Sequence, residues 1–450
     1  MPTVLRSLVV LALTCAVAAC SGPPGDRATA TADLLPGFAA VDVISGLNGP
    51  TATRFGPTDR LWIAEQEGRV KVFETVSSTS PLLTADLSDH VFGRNNRGLL
   101  GLAPDPLDDA SAYILYTYPA PVGAATPVWN DDATNCPDGT TRSCVSTGVL
   151  ARLSFTADGA ATETVLARGW CHHHGSHVPD DLRFGPDGAL YASAGEGSVP
   201  ELALDDGTWL SDEQRCNGGA FASRMTPEQR GPGEWNGAVA RFDAEDLDAV
   251  ARGEQSAEWL GDRGRVVAYG LRNPFRMTFR PGTPELWIGD PGWYTWEEID
   301  VVPDATNDDA DDFGWPCREG PAAAQGYDAD PRCSSLNAAP SDAVEPWLAQ
   351  RRGEPVDAAD SCPTAPTAIS SIGFGPASWA APYGDALYFG DYSRGCLYVA
   401  RTGTDGLPDP TQVSVFWPQA GTPVDITSGP DGALYVTRIA EGVITRISRP

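Results

Sequence analysis

Six segments of the chain repeat one alternation of apolar and polar positions. Each has an apolar strand end, a proline-centred turn, a run of the form Leu-Tyr/Trp-Val/Ile, a glycine turn and a further strand. The first pairs Phe55-Gly56-Pro57 with Leu61-Trp62-Ile63, and the second pairs Ala103-Pro104 with Tyr113-Ile114-Leu115. Phe184-Gly185-Pro186-Asp187-Gly188 precedes Leu190-Tyr191, and Phe279-Arg280-Pro281 precedes Leu286-Trp287-Ile288. Phe374-Gly375-Pro376 with Leu387-Tyr388-Phe389, and Gly429-Pro430-Asp431-Gly432 with Leu434-Tyr435-Val436, complete the set. Proline fixes φ and glycine accepts positive φ, so Pro-Asp-Gly between apolar runs predicts a tight turn. The β-branched and aromatic triplets predict short buried strands. One four-stranded sheet cannot cover both its faces; six stacked radially can, and they leave only short edges. The pattern predicts an all-β fold, a six-bladed β-propeller with loop insertions. The shortest repeat interval, Pro57 to Pro104, is about one blade in length, and the longer ones leave room for insertions. One of these, the acidic stretch 243–263, is expected to hold a short helix. A pair of β-sandwiches is the competing architecture and fits six copies of one template poorly.

Ahead of the repeats, Arg6 precedes an apolar run from Leu8 to Ala19 that ends in small residues. The run is too short for a comfortable membrane span and reads as a signal peptide over residues 1–19. Val17-Ala18-Ala19-Cys20 resembles the bacterial lipobox, which predicts lipidation of Cys20 and an extracytoplasmic, cell-envelope location. Ordinary secretion is the alternative. Residues 20–36 form the expected lipidated, flexible linker and 37–450 the propeller domain. Membrane attachment is expected only through the lipid.

Composition narrows the partners. Hydrophobic residues at 42% and charged residues at 20% give a globular mix. Lys+Arg number 31 against Asp+Glu 60, a net charge of −29, which excludes nucleic acid as an expected partner. Lys71 is the only lysine, so any cationic site elsewhere is built from arginine. Beyond Cys15 and Cys20, the cysteines are Cys136, Cys144, Cys171, Cys216, Cys317, Cys333, Cys362 and Cys396. An even set in an exported chain predicts disulfides, and the absence of any CxxC argues against zinc. Chain order suggests pairs 136–144, 171–216, 317–333 and 362–396, although sequence alone does not fix them.

Five segments, taken in order, resemble the soluble glucose/sorbosone dehydrogenase-like propellers, whose typified members use pyrroloquinoline quinone (PQQ) and calcium. They are residues 96–103 (NRGLLGLA), 176–188 with Ser176-His177, 269–275 (YGLRNPF), 289–299 with Gly289-Asp290-Pro291-Gly292, and 313–316 (FGWP). The matching stretch runs from about Gly46 to Ile447. The resemblance implies a sugar dehydrogenase that oxidises an aldose or related sugar, with hydride passing to PQQ and electrons to an external acceptor. It implies His177 as base, a role a neutral imidazole suits because its ordinary pKa is about 6.5. It implies Arg272 and Asn273 as the groups that polarise and orient the quinone. Asn96 stands where the family carries Gln or Glu near the cofactor. The carbonyls of Gly292 and Trp293 with the carboxylate of Glu298 match the family's calcium loop, an oxygen-only donor set suited to a hard cation.

The chain also departs from that pattern. PQQ carries three carboxylates, which need cations or many donors when buried. At the positions of the lysine and two arginines of PQQ-using members stand Ser393, Thr422 and Val424. Arg97, Arg394 and Arg438, each beside a template turn, are candidate substitute cations, of which Arg394 is assigned to the cofactor; a surface or interblade arginine is the favoured alternative for each. The loss motivates an alternative function: a non-catalytic propeller that binds a saccharide or a cell-surface partner. His172-His173-His174 beside His177 reads as a polar loop tied by Cys171, because adjacent side chains of an extended run point to opposite faces and cannot all reach one metal.

Overall fold

The computed structural model describes residues 34–124, 126–129, 144–172, 175–197 and 219–449. Six sheets of at least four strands follow one another along the chain. Blade 1 comprises Pro50–Phe55, Leu61–Glu65, Arg69–Phe73 and Leu83–Asp86. Blade 2 comprises Leu99–Pro104, Ser111–Tyr118, Ser146–Phe155 and Ala161–His172. Blade 3 comprises Pro179–Phe184, Leu190–Ala194, Ala238–Phe242 and Arg265–Tyr269, with the short Asp311–Asp312 added in parallel. Blade 4 comprises Arg276–Phe279, Leu286–Asp290, Trp296–Val302 and Leu348–Arg351. Blade 5 comprises Ile369–Phe374, Leu387–Asp391, Cys396–Thr402 and Pro408–Trp417. Blade 6 takes Pro423–Ser428, Leu434–Arg438 and Val443–Ser448 from the end of the chain, and its outermost strand, Ala39–Ile44, from the beginning. The ring is thereby closed by pairing the first described strand with the last, which removes the open edge that a sequential arrangement would leave. The fold is the six-bladed propeller that the repeat predicts.

The repeat explains how the blades pack. Its proline turn joins the innermost strand to the second, and the triplet is that second strand. The aromatic residue of one triplet meets the phenylalanine that ends the next blade's innermost strand: Tyr113 with Phe184 at 5.5 Å, Tyr191 with Phe279 at 4.9 Å, Trp287 with Phe374 at 5.5 Å and Tyr435 with Phe55 at 5.0 Å, all edge to face. Such pairs contribute about 0.5–1.5 kcal/mol each beyond their burial. The predicted helical insertion holds two short helices, Ala244–Ala251 and Ala257–Gly261. Leu34 and Leu35, assigned to the linker from sequence, pack against blades 5 and 6 beside Phe38, and the Leu35 amide donates to Phe416 O at 3.0 Å. Cys317–Cys333 and Cys362–Cys396 are disulfides. Cys144 and Cys171 are disulfide-bonded as well, while Cys20, Cys136 and Cys216 lie outside the described residues, as do residues 1–19. No described helix is long and apolar enough to cross a membrane.

Candidate functional site

Five of the six innermost strands carry a register irregularity near their start: at Pro50/Ala52, Leu99/Gly101, Pro179/Leu182, Ile369/Ser371 and Pro423/Asp425. A bulge turns one residue out of the ladder and frees its backbone groups. Here the turned residues Thr51, Leu100, Ser370 and Val424 line one axial cavity of about 470 Å³. The carbonyls so freed are gathered by Arg276, which is 1% exposed: its guanidinium donates to Thr51 O at 2.7 Å, Val424 O at 2.8 Å and Asp180 O at 3.1 Å. Blades 1, 6 and 3 are thus tied to blade 4 at the cavity floor. Below it, Arg54 donates to both Asp181 and Asp425, and Arg183 to Asp425, which closes the axis with a buried ionic network.

The mouth is made by the connections that lead from each outermost strand to the next innermost one. Asn96 lies on the connection between blades 1 and 2, His177 on that between 2 and 3, Arg272 and Asn273 on that between 3 and 4, and all four line the cavity. His177 is 8% exposed and has a left-handed backbone with φ 56°. Its Nδ1 lies 3.1 Å from Glu196 Oε1, and the other oxygen of Glu196 accepts from Trp315 Nε1. A proton on Nδ1 donated to Glu196 leaves Nε2 as the basic nitrogen. Gly195 brings this pair to Asn273: a Cβ there would sit 2.6 Å from both Asn273 Oδ1 and His177 Cα. The Asp290 carboxylate accepts the amides of Arg272 at 2.8 Å and Asn273 at 2.5 Å and fixes that turn. Burial pushes the Asp290 carboxyl up to about 6, against the pull of those two amides. Asn273 Oδ1 and Arg272 Nε are buried without a hydrogen-bond partner. Unmet groups at this depth are costly in a folded chain, so they point to a ligand or ordered solvent.

The loop Pro291–Trp296 is held by opposite charges on its two sides. Glu319 Oε1 accepts the amides of Trp293, Tyr294 and Thr295 at 2.7, 2.8 and 2.9 Å. On the carbonyl side, Arg272 Nη1 donates to Pro291 O at 2.7 Å and Gly292 O at 2.9 Å. Arg352 Nη1 donates to Gly292 O at 2.7 Å and Trp293 O at 2.6 Å. Gly292 is obligatory, because a Cβ there would lie 1.6 Å from Trp296 O. As arranged, these carbonyls do not fit a calcium ion. Each is already an acceptor for a cation, and a divalent ion about 5 Å from a guanidinium meets repulsion of roughly 7 kcal/mol at an effective dielectric of about 20. Glu298 is buried away from the cavity and accepts the Gly320 amide, and burial pushes its carboxyl well above the usual range. Among the described residues no group of three His, Cys, Asp or Glu is placed to hold a metal ion.

The other expected cations are committed elsewhere. Arg394 does not line the cavity: its guanidinium donates to Asp360 at 2.7 Å and to the carbonyls of Pro363 and Cys362, because the 362–396 disulfide draws that segment over it. Arg97 is fully buried over the Phe92 ring and donates to Cys144 O, and desolvation lowers its pKa to about 9. Arg438 donates to Ala420 O. Ser393 and Val424 face the cavity, whereas Thr422 is bonded to Glu441. His172 ends a strand, buried, rather than lying in a loop, and His173 and His174 lie outside the described residues. The groups that sequence reasoning missed are Glu196, Arg276, Glu319 and Arg352. Only Glu196 had a local signal, the Gly-Glu-Gly that follows the second strand of blade 3.

No protein-family model and no curated protein matches the chain. Solved structures do. A putative oxidoreductase (glucose dehydrogenase) from Thermus thermophilus aligns at 22% identity over 91% of this chain and 100% of its own, with a TM-score of 0.59. The PQQ-bound aldose sugar dehydrogenase of Streptomyces coelicolor aligns at 16% identity over 91% and 98%, with a TM-score of 0.56. The soluble aldose sugar dehydrogenase of Escherichia coli, in its apo form, aligns at 16% over 92% and 100%, with a TM-score of 0.57. The whole described propeller, insertions aside, therefore has the fold of the soluble glucose and aldose sugar dehydrogenases.

Proposed function

We propose that the protein is an exported, lipid-anchored dehydrogenase that oxidises an aldose or a related sugar with PQQ as hydride acceptor. The observation that carries this reading is the axial cavity, where His177, Arg272, Asn273 and Arg352 meet and no described lining residue is a carboxylate. In a chain of net charge −29 a cavity without an acid is a site for an anion. PQQ, with three carboxylates, suits it, and the orphaned Arg272 Nε and Asn273 Oδ1 gain partners when such a group is bound. The named activities of the structural neighbours support the same choice. The sequence of residues 1–20 supports export and lipidation at Cys20.

When bound, PQQ supplies a quinone that accepts hydride from the sugar carbon. His177 Nε2 takes the proton of the sugar hydroxyl, and Glu196 keeps the ring in the required tautomer. Arg272 stabilises negative charge that develops beside it, and Asn273 orients the ligand. Trp293, packed against Trp315 at 5.7 Å, walls the mouth and excludes water. An external acceptor receives the electrons. Apo-protein supplied with PQQ is expected to reduce an artificial dye when given aldoses. His177→Gln is expected to bind PQQ normally and to lower turnover on the order of 10²–10⁴-fold. No saturable PQQ binding at micromolar concentration would sink the cofactor assignment.

One observation favours a second reading, a non-catalytic propeller that binds a saccharide or cell-surface partner. Ser393 and Val424 line the cavity where PQQ-using members present cations. Glycan binding that survives His177→Ala, in a protein without turnover, would select it.

A further inference from the structure

The carbonyls of Gly292 and Trp293 are the acceptors a divalent cation would use in this loop, and the chain fills them with its own cations. Arg352 reaches them because its backbone amide donates to Thr295 O at 2.8 Å, which pins the end of blade 4 against the loop. Its Nη2 donates to Thr367 O at 3.0 Å, and its Nε lies 3.4 Å from Glu297 Oε1. The guanidinium is thus locked from three sides while the residue still lines the cavity. Arg272 shares the Gly292 carbonyl with it and keeps Nε without a partner. Two fixed guanidiniums therefore stand side by side on one cavity wall, and no described lining residue is acidic.

We propose that Arg352, with Arg272, stands in place of a divalent cation, so that the cavity clamps a polycarboxylate ligand without any metal. The inference rests on the cavity assigned above and deepens it: it makes Arg352 a binding residue and makes anion binding independent of calcium. A metal ion attracts an anion as a point charge and leaves with chelation. Arg272 offers its unpartnered Nε–H to the ligand, whereas Arg352, whose Nη1, Nη2 and Nε are already bonded to the protein, offers fixed positive charge, and neither can be removed by chelation.

The test is a binding titration on the full mature chain, passed over chelating resin and followed by quenching of tryptophan fluorescence, with PQQ as probe. Kd in metal-free buffer is expected to lie within about threefold of Kd in excess calcium chloride, a difference well under 1 kcal/mol. Arg352→Gln is expected to raise Kd at least about tenfold. Removal of Arg352 alone leaves Glu297 buried beside no cation, so the double variant Arg352→Gln/Glu297→Gln serves where the single one does not fold. The buffer comparison on the unaltered protein needs no variant at all. PQQ binding seen only with calcium overturns the clamp and leaves the dehydrogenase reading standing. If PQQ fails in both buffers while citrate binds in an Arg352-dependent way, the clamp stands and the PQQ assignment falls. Absence of binding by both anions overturns both.

Discussion

His177 occupies a backbone region that side chains avoid, at φ 56°. Such a conformation costs on the order of 1–2 kcal/mol and persists where surrounding contacts over-determine it. Here the contacts are Glu196 on Nδ1 and the close approach of Gly195, which together aim the ring at the cavity. Glu196 is buried, does not line the axial cavity and acts through the His177 ring, so it is a positioning residue. Glu196→Gln keeps the size and one hydrogen bond but admits the wrong tautomer. Its kcat is expected to fall by on the order of 10²-fold or more with KM nearly unchanged, and the pH–rate profile is expected to change shape. A fall in KM and kcat together with the profile intact would show that Glu196 serves packing alone.

At the scale of elements, blades are joined by more than the repeated aromatic pair. His90, after the last strand of blade 1, lies 2.9 Å from Glu163 on the last strand of blade 2, and Tyr116 donates to the other oxygen of Glu163 at 2.7 Å. The Glu163 carboxylate raises the pKa of His90, and the hydrogen bonds from His90 and Tyr116 lower that of Glu163 against the opposing effect of burial. For His90, the stabilisation is complete below the unfolded value of about 6.5 and is lost as pH rises through the higher folded value. For Glu163, it is present above about 4.3 and lost as pH falls through the lower folded value. The joint is therefore strongest between about pH 5 and 6.5. His90→Gln is expected to cost about 1 kcal/mol at pH 5.5 and little at pH 8.5, read as the shift in thermal midpoint at the two pH values. An equal shift at both would mean that the pair contributes through packing and not through charge.

For the molecule as a whole, two devices hold the ring: the strand Ala39–Ile44 that completes the last blade, and the ionic network on the axis. Asp181 and Asp425 are wholly buried and face Arg54 and Arg183 from different blades. Such a network stabilises little relative to an apolar filling, but the loss of one partner strands a charge. Arg54→Met is expected to cost about 3–5 kcal/mol, seen as a lower urea midpoint, and Arg54→Met/Asp425→Leu to cost less than the single change. If the double variant is the weaker, the network acts as a net attraction rather than as matched desolvation.

Local pattern determined the blades. Proline turns, the strand triplets and their sixfold recurrence depend only on residues adjacent in the chain, and the helical insertion was legible for the same reason; the 317–333 and 362–396 disulfides agree with chain order, which by itself did not fix them. That His177, Arg272 and Asn273 line one cavity was legible because each sits on a motif beside a strand start. The loop Gly292–Trp293 was legible as a set of carbonyl donors, but not its occupant. Arg352 lies sixty residues away in a stretch with no motif, and only the closure of blade 4 brings it to Gly292 O. Arg394 failed as a substitute cation because Asp360 and a disulfide take it, and Arg276 was invisible because its partners are carbonyls freed by bulges in three other blades. Tertiary structure decided which arginines line the axial cavity. In a chain so rich in acids, a cation's availability depends on which carboxylate or carbonyl reaches it first, and that is a property of the closed ring rather than of any segment.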